Sequence, residues 1–259
     1  MVLDERDAEA VPGALAPPGG LLLRSAGTSF SYACHACGRC CHGRKISLSP
    51  YEVVRLAANR GLSTGELLDR FATEDGRALR HRPDGACVFL GERGCTVHPD
   101  RPLACRLYPL GAVALGDGRT GFVELEPDPR SEGVYGVDGT VGDYLTSQGA
   151  EPYLRAAERY RGLLARAVRR VCSSARGPGT RPSRGPNAGG DSGGNEARGQ
   201  DMSGEERRAW LDVDAVVEGY AEEAGLALPS EPGGNIRLHL LALARALGLG
   251  DEAAEGSTA

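Results

Sequence analysis

Cysteines are the residues of this chain whose type and spacing could do chemistry. Seven of the eight fall between Cys34 and Cys105, and four of these form the sequence CHACGRCC, here called the knot (Cys34–Cys41), with the spacing C-x2-C-x2-C-C. Thiolates are soft ligands that capture zinc or iron–sulfur clusters, and C-x2-C lets one tight loop present two sulfurs to one ion. The spacing predicts a metal centre whose ligands are Cys34, Cys37, Cys40, Cys41, Cys87, Cys95 and Cys105.

The number of sulfurs does not identify the metal or the number of ions. A tetrahedral zinc takes four ligands, so seven cysteines exceed one zinc and fall one short of two all-cysteine sites. Either His35, His42 or His98 supplies the eighth ligand, or two metals share a sulfur, or the site holds an iron–sulfur cluster. Adjacent side chains diverge in extended backbone, so Cys40 and Cys41 could serve two ions or opposite sides of one cluster. The run shares its first spacing with bacterial ferredoxins but lacks their following C-x3-C-P.

The overall composition narrows the function classes. The net charge of −5 argues against whole-chain affinity for nucleic acid. No apolar run approaches the roughly 18–20 residues of a membrane span. The N-terminus is acidic and has neither the basic nor the apolar region of a signal peptide. We therefore expect a cytoplasmic protein with no nucleic-acid or membrane partner, in which a dense cysteine cluster favours metal binding or redox activity over disulfides.

Local signals predict the elements that must position the cysteines. Ser49 and Glu52 form a capping box with Pro50 at the first helical position, so a helix should run to Arg60 with Gly61 as its C-cap. The other predicted elements are a capped helix over 64–72, hairpins over 86–98 and 112–126 (turning at Asp117-Gly118), a helical turn over 100–107, a helical region from 141 and a helix over 151–172. They predict an α+β fold, a small cysteine-rich metal-binding module with short helices and β-hairpins, followed by helices.

The register of the first hairpin decides whether two of the thiols share a face. With a four-residue loop Leu90 faces Cys95, and Cys87 points to the opposite side. With a five-residue loop Phe89 pairs with Cys95, and Cys87 joins them on one face. We favour the five-residue loop because both thiols then line one site.

Composition divides the chain into four segments. Residues 1–29 are predicted to be a disordered N-terminal segment, and residues 30–172 the cysteine-cluster metal-binding domain with a helical extension. Residues 173–200 contain no aliphatic side chain larger than Ala and no aromatic ring, which predicts a disordered linker. Residues 201–259 are predicted to be a small helical C-terminal segment.

Two helical patterns lie beyond the cysteine-rich stretch. A capping box at Ser203 predicts a helix over 204–225, and a second helix is expected over 233–248. Cys172 ends the apolar stripe of the helix before the linker and is predicted to pack rather than to bind metal. That stripe consists of Tyr153, Ala157, Tyr160, Leu164, Val168 and Cys172.

Three sequence segments occur in an order that resembles a known family. The knot is followed by SPYEVVRLA and then by ACVFLGERGCTVHPDRPLACRLYP, all within residues 30–112. The pattern resembles the YkgJ-type cysteine-cluster family, a zinc- or iron-chelating domain with a C-x2-C-x2-C-C signature. The resemblance implies metal binding at the seven cysteines named above. It also implies a supporting role, behind the ligands or in the fold, for Arg101, Pro102, Arg106, Tyr108 and Pro109.

The same family is similar to flagellin lysine-N-methylases, which carry a comparable cysteine cluster. This likeness implies a second hypothesis, a protein methylase that uses S-adenosylmethionine and in which the cluster is catalytic. The leading hypothesis is a protein that binds zinc or iron, with thiolates kept deprotonated by the metal and by Arg39, Arg44 or Arg106. A third hypothesis is an interaction module, in which the metal organises a surface for another protein.

Overall fold

The computed structural model describes residues 23–115, 120–126, 128–174, 203–229 and 231–255. The strands and helices found there are, in order, β1 (Leu23–Arg24), β2 (Ser29–Ala33), α1 (Pro50–Arg60), α2 (Thr64–Phe71), β3 (Leu90–Gly91), β4 (Gly94–Cys95), α3 (Leu103–Leu107), β5 (Leu110–Ala114), β6 (Thr120–Glu124), β7 (Val134–Thr140), α4 (Val141–Ser147), α5 (Glu151–Ser174), α6 (Gly204–Leu211), α7 (Val213–Ala224), α8 (Pro232–Ala246) and α9 (Glu252–Glu255). The predicted α+β class is confirmed. No helix among these residues combines the length and the apolar character needed to cross a bilayer.

Several predictions fall outside the described residues, in whole or in part. They concern the turn at Asp117-Gly118, residues 175–200 of the predicted linker, residues 1–22 of the predicted N-terminal segment, and residues 201–202, 230 and 256–259 of the predicted C-terminal segment. The backbone of α5 is described through Ser174, but the side chain of Cys172 is not, so its predicted packing stays a prediction.

The strands form three small antiparallel sheets. One has the order β1-β6-β5, and the others pair β2 with β7 and β3 with β4. In the first sheet Leu23 pairs with Val123 and Arg24 with Phe122, so part of the segment 1–29, for which composition predicts disorder, forms a strand. The partner strand lies far along the chain, and the N-terminal composition does not reveal it. The β1-β6-β5 sheet and the β2–β7 pair share a core with α3–α5, made of Phe30, Leu107, Leu110, Phe122, Val141, Tyr144, Ala150 and Leu154.

The two helices after the knot form as predicted. Both capping boxes, at Ser49 and Ser63, are closed, and α1 ends at Gly61 with φ 64°, a left-handed conformation that suits glycine. Their inward faces build the core of the cysteine module. This core consists of Ile46, Leu48, Val53, Leu56, Ala57, Leu67, Leu68, Ala72, Leu79, Cys87, Phe89 and Val97.

The first hairpin is shorter than predicted and has the other register. Leu90 pairs with Cys95 and Gly91 with Gly94, so the prediction that Phe89 pairs with Cys95 was wrong. Each strand has only two residues, and Leu90 N donates to Cys87 O at 2.9 Å, which makes the preceding residues a turn. Because Cys87 lies outside the strand, strand alternation does not set the direction of its side chain.

Helix α5 buries the predicted stripe only in its first part. Tyr153 and Tyr160 are buried as expected, but Leu164 and Val168 are 56% and 62% exposed. The buried face passes instead through Leu154 and Leu163, because α5 serves two cores, the sheet core and the core of the C-terminal helices. An apolar stripe read from the sequence assumes that the helix packs against one surface. In a helix that packs against two cores, the predicted stripe and the buried residues therefore differ.

The C-terminal helices pack directly on the cysteine module. The helix predicted over 204–225 is broken at Asp212, which ends α6 and caps α7. Thr64 Oγ1 donates to Asp212 Oδ1 at 2.7 Å, and Thr64 N donates to Asp214 Oδ2 at 2.7 Å. These bonds join the N-termini of α2 and α7. In addition, Val54 of α1 belongs to the same buried core as α7 and α8.

A buried histidine lies inside this C-terminal core. His239 Nε2 is 2.9 Å from the carbonyl oxygen of Trp210, which only accepts, so Nε2 carries the proton. His239 Nδ1 then accepts from Tyr160 Oη at 2.8 Å. Burial lowers the pKa of His239 to about 4, so the imidazole is neutral near pH 7.

This lowered pKa predicts a specific acid sensitivity. An unfolded histidine has a pKa of about 6.5, so between pH 6.5 and 4 the unfolded chain binds the extra proton and stability falls as pH falls. The loss due to His239 is at most about 1.4 kcal/mol per pH unit in that window. We expect His239→Gln, which keeps one donor and one acceptor, to lose this component when the unfolding free energy is measured at successive pH values. Equal slopes for the two proteins would contradict the assignment.

Candidate metal centre

The knot is a tight loop shaped by two residues in left-handed conformation. Strand β2 ends at Ala33, and Ala36 (φ 54°) and Gly38 (φ 71°) then turn the chain into a 3-10 turn over Arg39–Cys41. Within the loop, Ala36 N donates to Cys34 Sγ at 3.4 Å. Cys40 and Cys41 lie in the 3-10 turn, and Cys34 and Cys37 lie in the loop before it.

Backbone contacts join the knot to the hairpin. Cys87 N donates to Cys41 O at 2.7 Å, and His42 forms a bridge with Ala86. Cys87 is buried in the module core, and Cys41, Cys95 and Cys105 pack against that core. Thiols from three separate segments thus lie against one apolar wall.

All seven predicted ligands line a single cavity of about 220 Å³. Cys34 is exposed, Cys87 is buried and the other five are half-buried, and none of the seven forms a disulfide. The cavity is also lined by the cations Arg44, Lys45 and Arg101, whereas no carboxylate among the described residues lines it. Seven soft donors with nearby cations and no hard oxygen anion are a donor set suited to zinc or iron.

The donor chemistry fits a metal, but the ligand set is not preassembled. Among the described residues, no three His, Cys, Asp or Glu side chains are grouped so as to hold one ion. Binding would therefore draw the sulfurs together, as in small metal domains whose local structure is completed by the ion. The residues that would hold the metal are the seven cysteines of the cavity, and a bound metal would supply the charge that keeps them as thiolates.

The pKa of the Cys40 thiol is lowered, whereas that of its neighbour Cys41 is raised. A hydrogen bond from the Cys41 thiol lowers the pKa of Cys40, with further help from Arg44 and Arg101. The same hydrogen bond raises the pKa of Cys41, because the donor must keep its proton. Of the three arginines predicted to act on the thiols, the structure supports Arg44, and it adds Arg101.

The three deeper thiols are favoured in their protonated form. Burial is the main cause that raises the pKa values of Cys87, Cys95 and Cys105, and the negative charges of neighbouring thiolates raise them further. Without a metal these side chains behave as small apolar groups of the core.

The three histidines considered as an eighth ligand are placed differently. His42 Nδ1 lies 3.1 Å from Gly38 O, and its side chain does not line the cavity. His35 and His98 do line it. Burial and the charge of Arg101 lower the pKa of His98, which keeps it neutral and able to donate a lone pair.

Arg106 is the buried residue that positions the segment carrying Cys105. Its Nε donates to Arg101 O at 3.0 Å, its Nη1 to Gln148 O at 2.7 Å, and its Nη2 to Tyr153 Oη at 2.9 Å and also to Pro99 O. The guanidinium also stacks over the Tyr153 ring at 4.3 Å. The family motif implied a supporting role for Arg106, and these contacts specify it.

Glu52 positions the same segment from the other side, a role that the sequence did not indicate. Its Oε2 accepts from Ser49 N at 2.6 Å, as in the predicted capping box, but its Oε1 accepts from Leu103 N at 2.7 Å. The carboxyl is buried, and burial raises its pKa. The second bond joins α1 to α3, and only the tertiary structure reveals it.

Comparison with known proteins gives one match. A family model described as "CxxCxxCC: Putative zinc- or iron-chelating domain" matches residues 33–124. These 92 of the chain's 259 residues are similar to this cysteine-cluster family, and the matched stretch is here called the CxxCxxCC domain. The CxxCxxCC domain thus runs from the start of the knot to the end of β6, and metal binding is the property that its description states. Searches of curated proteins and of solved structures found no match.

The contacts of Arg106 predict a large effect of its removal. Arg106→Met leaves the carbonyls of Arg101, Gln148 and Pro99 without their donor, at a cost of roughly 2–4 kcal/mol in unfolding free energy. Metal affinity should fall as well, because the segment that carries Cys105 loses its anchor. The matched control is Arg93→Met, at the exposed turn between β3 and β4. Denaturant unfolding of both variants tests this, and similar stabilities would refute the role of Arg106.

Proposed function

We propose that the CxxCxxCC domain binds zinc in the seven-thiol cavity, and that the metal joins the knot, the hairpin and α3 into one module. The observation that carries this proposal is the convergence of seven cysteines, from three separate segments, on one cavity. These segments contain only two-residue strands and short helical turns. A bound ion would supply cross-links that so little regular structure cannot provide.

Zinc accounts for the donor set better than an iron–sulfur cluster does. A cubane cluster and a tetrahedral zinc are each held by four ligands, so the number of thiols alone does not choose between them. Zinc has no geometric preference from its d electrons and takes all-thiolate sites, so it tolerates an irregular set of sulfurs. The lack of a ferredoxin-type C-x3-C-P after the knot supports the same choice.

The methylase and the interaction module stay alternative hypotheses. No feature among the described residues favours a site for S-adenosylmethionine, since the sheets are small and antiparallel. A protein partner has a candidate surface, because Val134 and Val137 of β7 are 57% and 74% exposed and Val134 pairs with Ala33 beside the knot. A dense cysteine cluster in the sequence suits metal binding in a reducing compartment, and we propose the cytoplasm.

Purification without oxygen tests the proposal directly. We expect colourless protein that contains at least one zinc per chain by elemental analysis, and a melting temperature that falls when a chelator removes the metal. Cys87→Ser should lose zinc, since Cys87 is the buried thiol of the set. Cys172→Ser, the cysteine outside the segment 34–105, serves as the control. Substoichiometric metal with freely titrating thiols would reject metal binding, and brown protein with stoichiometric iron would reject zinc.

The raised thiol pKa values predict proton release on metal binding. Cys87, Cys95 and Cys105 are protonated in the metal-free protein near pH 7 and must lose their protons to become ligands. Zinc affinity should therefore rise with pH, by about one decade per pH unit for each proton released. Calorimetry in buffers of different ionisation enthalpy measures this number. Affinity that does not change between pH 6 and 8 would show that these thiols are not ligands.

A further inference from the structure

We propose that a cavity between the cysteine module and the C-terminal helices binds a fatty acid. This cavity has a volume of about 450 Å³ and is lined by α5, α6, α8 and the chain segments around Lys45 and Arg77. Its volume lies within the usual range of small-molecule sites, about 300–1,000 Å³. None of the seven predicted metal ligands lines it, and the inference does not rest on the proposed metal binding.

The walls of this cavity are apolar. Six leucines line it, together with Pro50 and Trp210. Single exposed leucines are common on protein surfaces, but Leu164 and Leu247, which are 56% and 37% exposed, belong to one concave site. A hydrocarbon chain bound there would remove this apolar surface from water. The six leucines are Leu48, Leu163, Leu164, Leu211, Leu243 and Leu247.

The buried polar side chains of the lining already bond to partners within the protein. Tyr160 Oη donates to His239 Nδ1 at 2.8 Å, and His239 Nε2 donates to Trp210 O at 2.9 Å. Both side chains are buried. Because these polar atoms are engaged, the buried part of the lining favours a hydrocarbon chain over a polar molecule, which would need hydrogen-bond partners there.

The cavity combines these apolar walls with positive charge. Lys45, Arg77 and Arg207 line it, and no carboxylate among the described residues does. Lys45 and Arg77 are exposed and Arg207 is half-buried, so the charges lie where the cavity meets solvent. A ligand with a negatively charged head and an apolar tail is complementary to this arrangement, and a fatty acid is the simplest molecule of that kind.

Two of the cations are held near each other by the backbone. Leu48 N donates to Arg77 O at 2.9 Å, so the segment that carries Lys45 runs beside the one that carries Arg77. Arg77 Nε lies 3.9 Å from Asp75 Oδ2, and both side chains of this ion pair are exposed to solvent. Such a loose pair contributes little stability and leaves the guanidinium able to bind the carboxylate of a ligand.

The only tryptophan of the chain, Trp210, lines the cavity and therefore reports on its occupancy. Full-length protein titrated with decanoate, below the concentration at which decanoate forms micelles, should show a saturable change in tryptophan fluorescence. Affinity should rise about fourfold for each CH₂ group added between octanoate and dodecanoate, because each group buries more apolar surface. Decanol has the same chain without the charge and should bind about tenfold more weakly.

Two matched pairs of variants test the two ends of the ligand. Leu164→Glu places a carboxylate in the apolar wall and should weaken decanoate binding by about tenfold or more. Val168→Glu, one turn further along α5 and outside the lining, should leave it unchanged. Arg77→Gln should weaken binding about two- to fivefold. Arg70→Gln removes another exposed, ion-paired arginine, which does not line the cavity, and should have no effect.

The titrations of the unmodified protein decide the inference even if a variant fails to fold. A fluorescence that shows no saturable change, or decanol that binds as tightly as decanoate, would overturn it. Unchanged decanoate binding in Leu164→Glu would also overturn the assignment to this cavity. Arg77 is substituted rather than Lys45 because Lys45 also lines the metal cavity. Metal content and decanoate binding are separate measurements, so failure of one proposal leaves the other standing.

Discussion

The segment that carries Cys105 is fixed by two buried ionisable side chains, and the metal cavity depends on this constraint. Glu52 binds the start of α3 from α1, and Arg106 binds the residues before α3 to the end of α4 and to α5. Between Pro99 and Tyr108 the chain forms only a short helix and turns, which cannot hold a thiol in place by regular hydrogen bonding alone. The buried side chains of Glu52 and Arg106 therefore position Cys105, whereas the loop conformation positions the cysteines of the knot.

In the proposed metal site, the same sulfur atoms would serve both for packing and for metal binding. Cys87 is part of the core, and Cys41, Cys95 and Cys105 pack against it, so these thiols contribute to apolar burial while they are protonated. Metal binding would convert them to thiolates, whose burial needs compensating positive charge. Arg44, Lys45 and Arg101 are placed at the cavity to contribute it. The cations and a bound metal would thus act in the same direction, because the positive charge of each stabilises a buried thiolate.

The sequence predicted the elements that depend on neighbouring residues and missed those that depend on distant ones. The capped ends of α1 and α2 follow from Ser49, Glu52 and Gly61, which act within one turn. The predicted register at Cys95 was wrong. The hydrogen bond from Cys87 N to Cys41 O shortens the hairpin, and no local sequence pattern encodes that bond. The set of seven cysteines could be selected by spacing. Their convergence on one cavity, and the role of Glu52 behind it, required the tertiary structure.

Helix α1 connects the cavity with the C-terminal helices, which lie outside the family domain. Val53 and Leu56 face the cysteine core, Val54 belongs to the C-terminal core, and Glu52 reaches α3. A helix that packs against two cores couples them. Because packed interiors are nearly incompressible, a change of packing in one core displaces the helix and so affects the other core. The bonds of Thr64 to Asp212 and Asp214 reinforce this arrangement at α2. The C-terminal helices therefore pack against α1 and α2, the helices behind the cysteine core, and supply none of the predicted ligands.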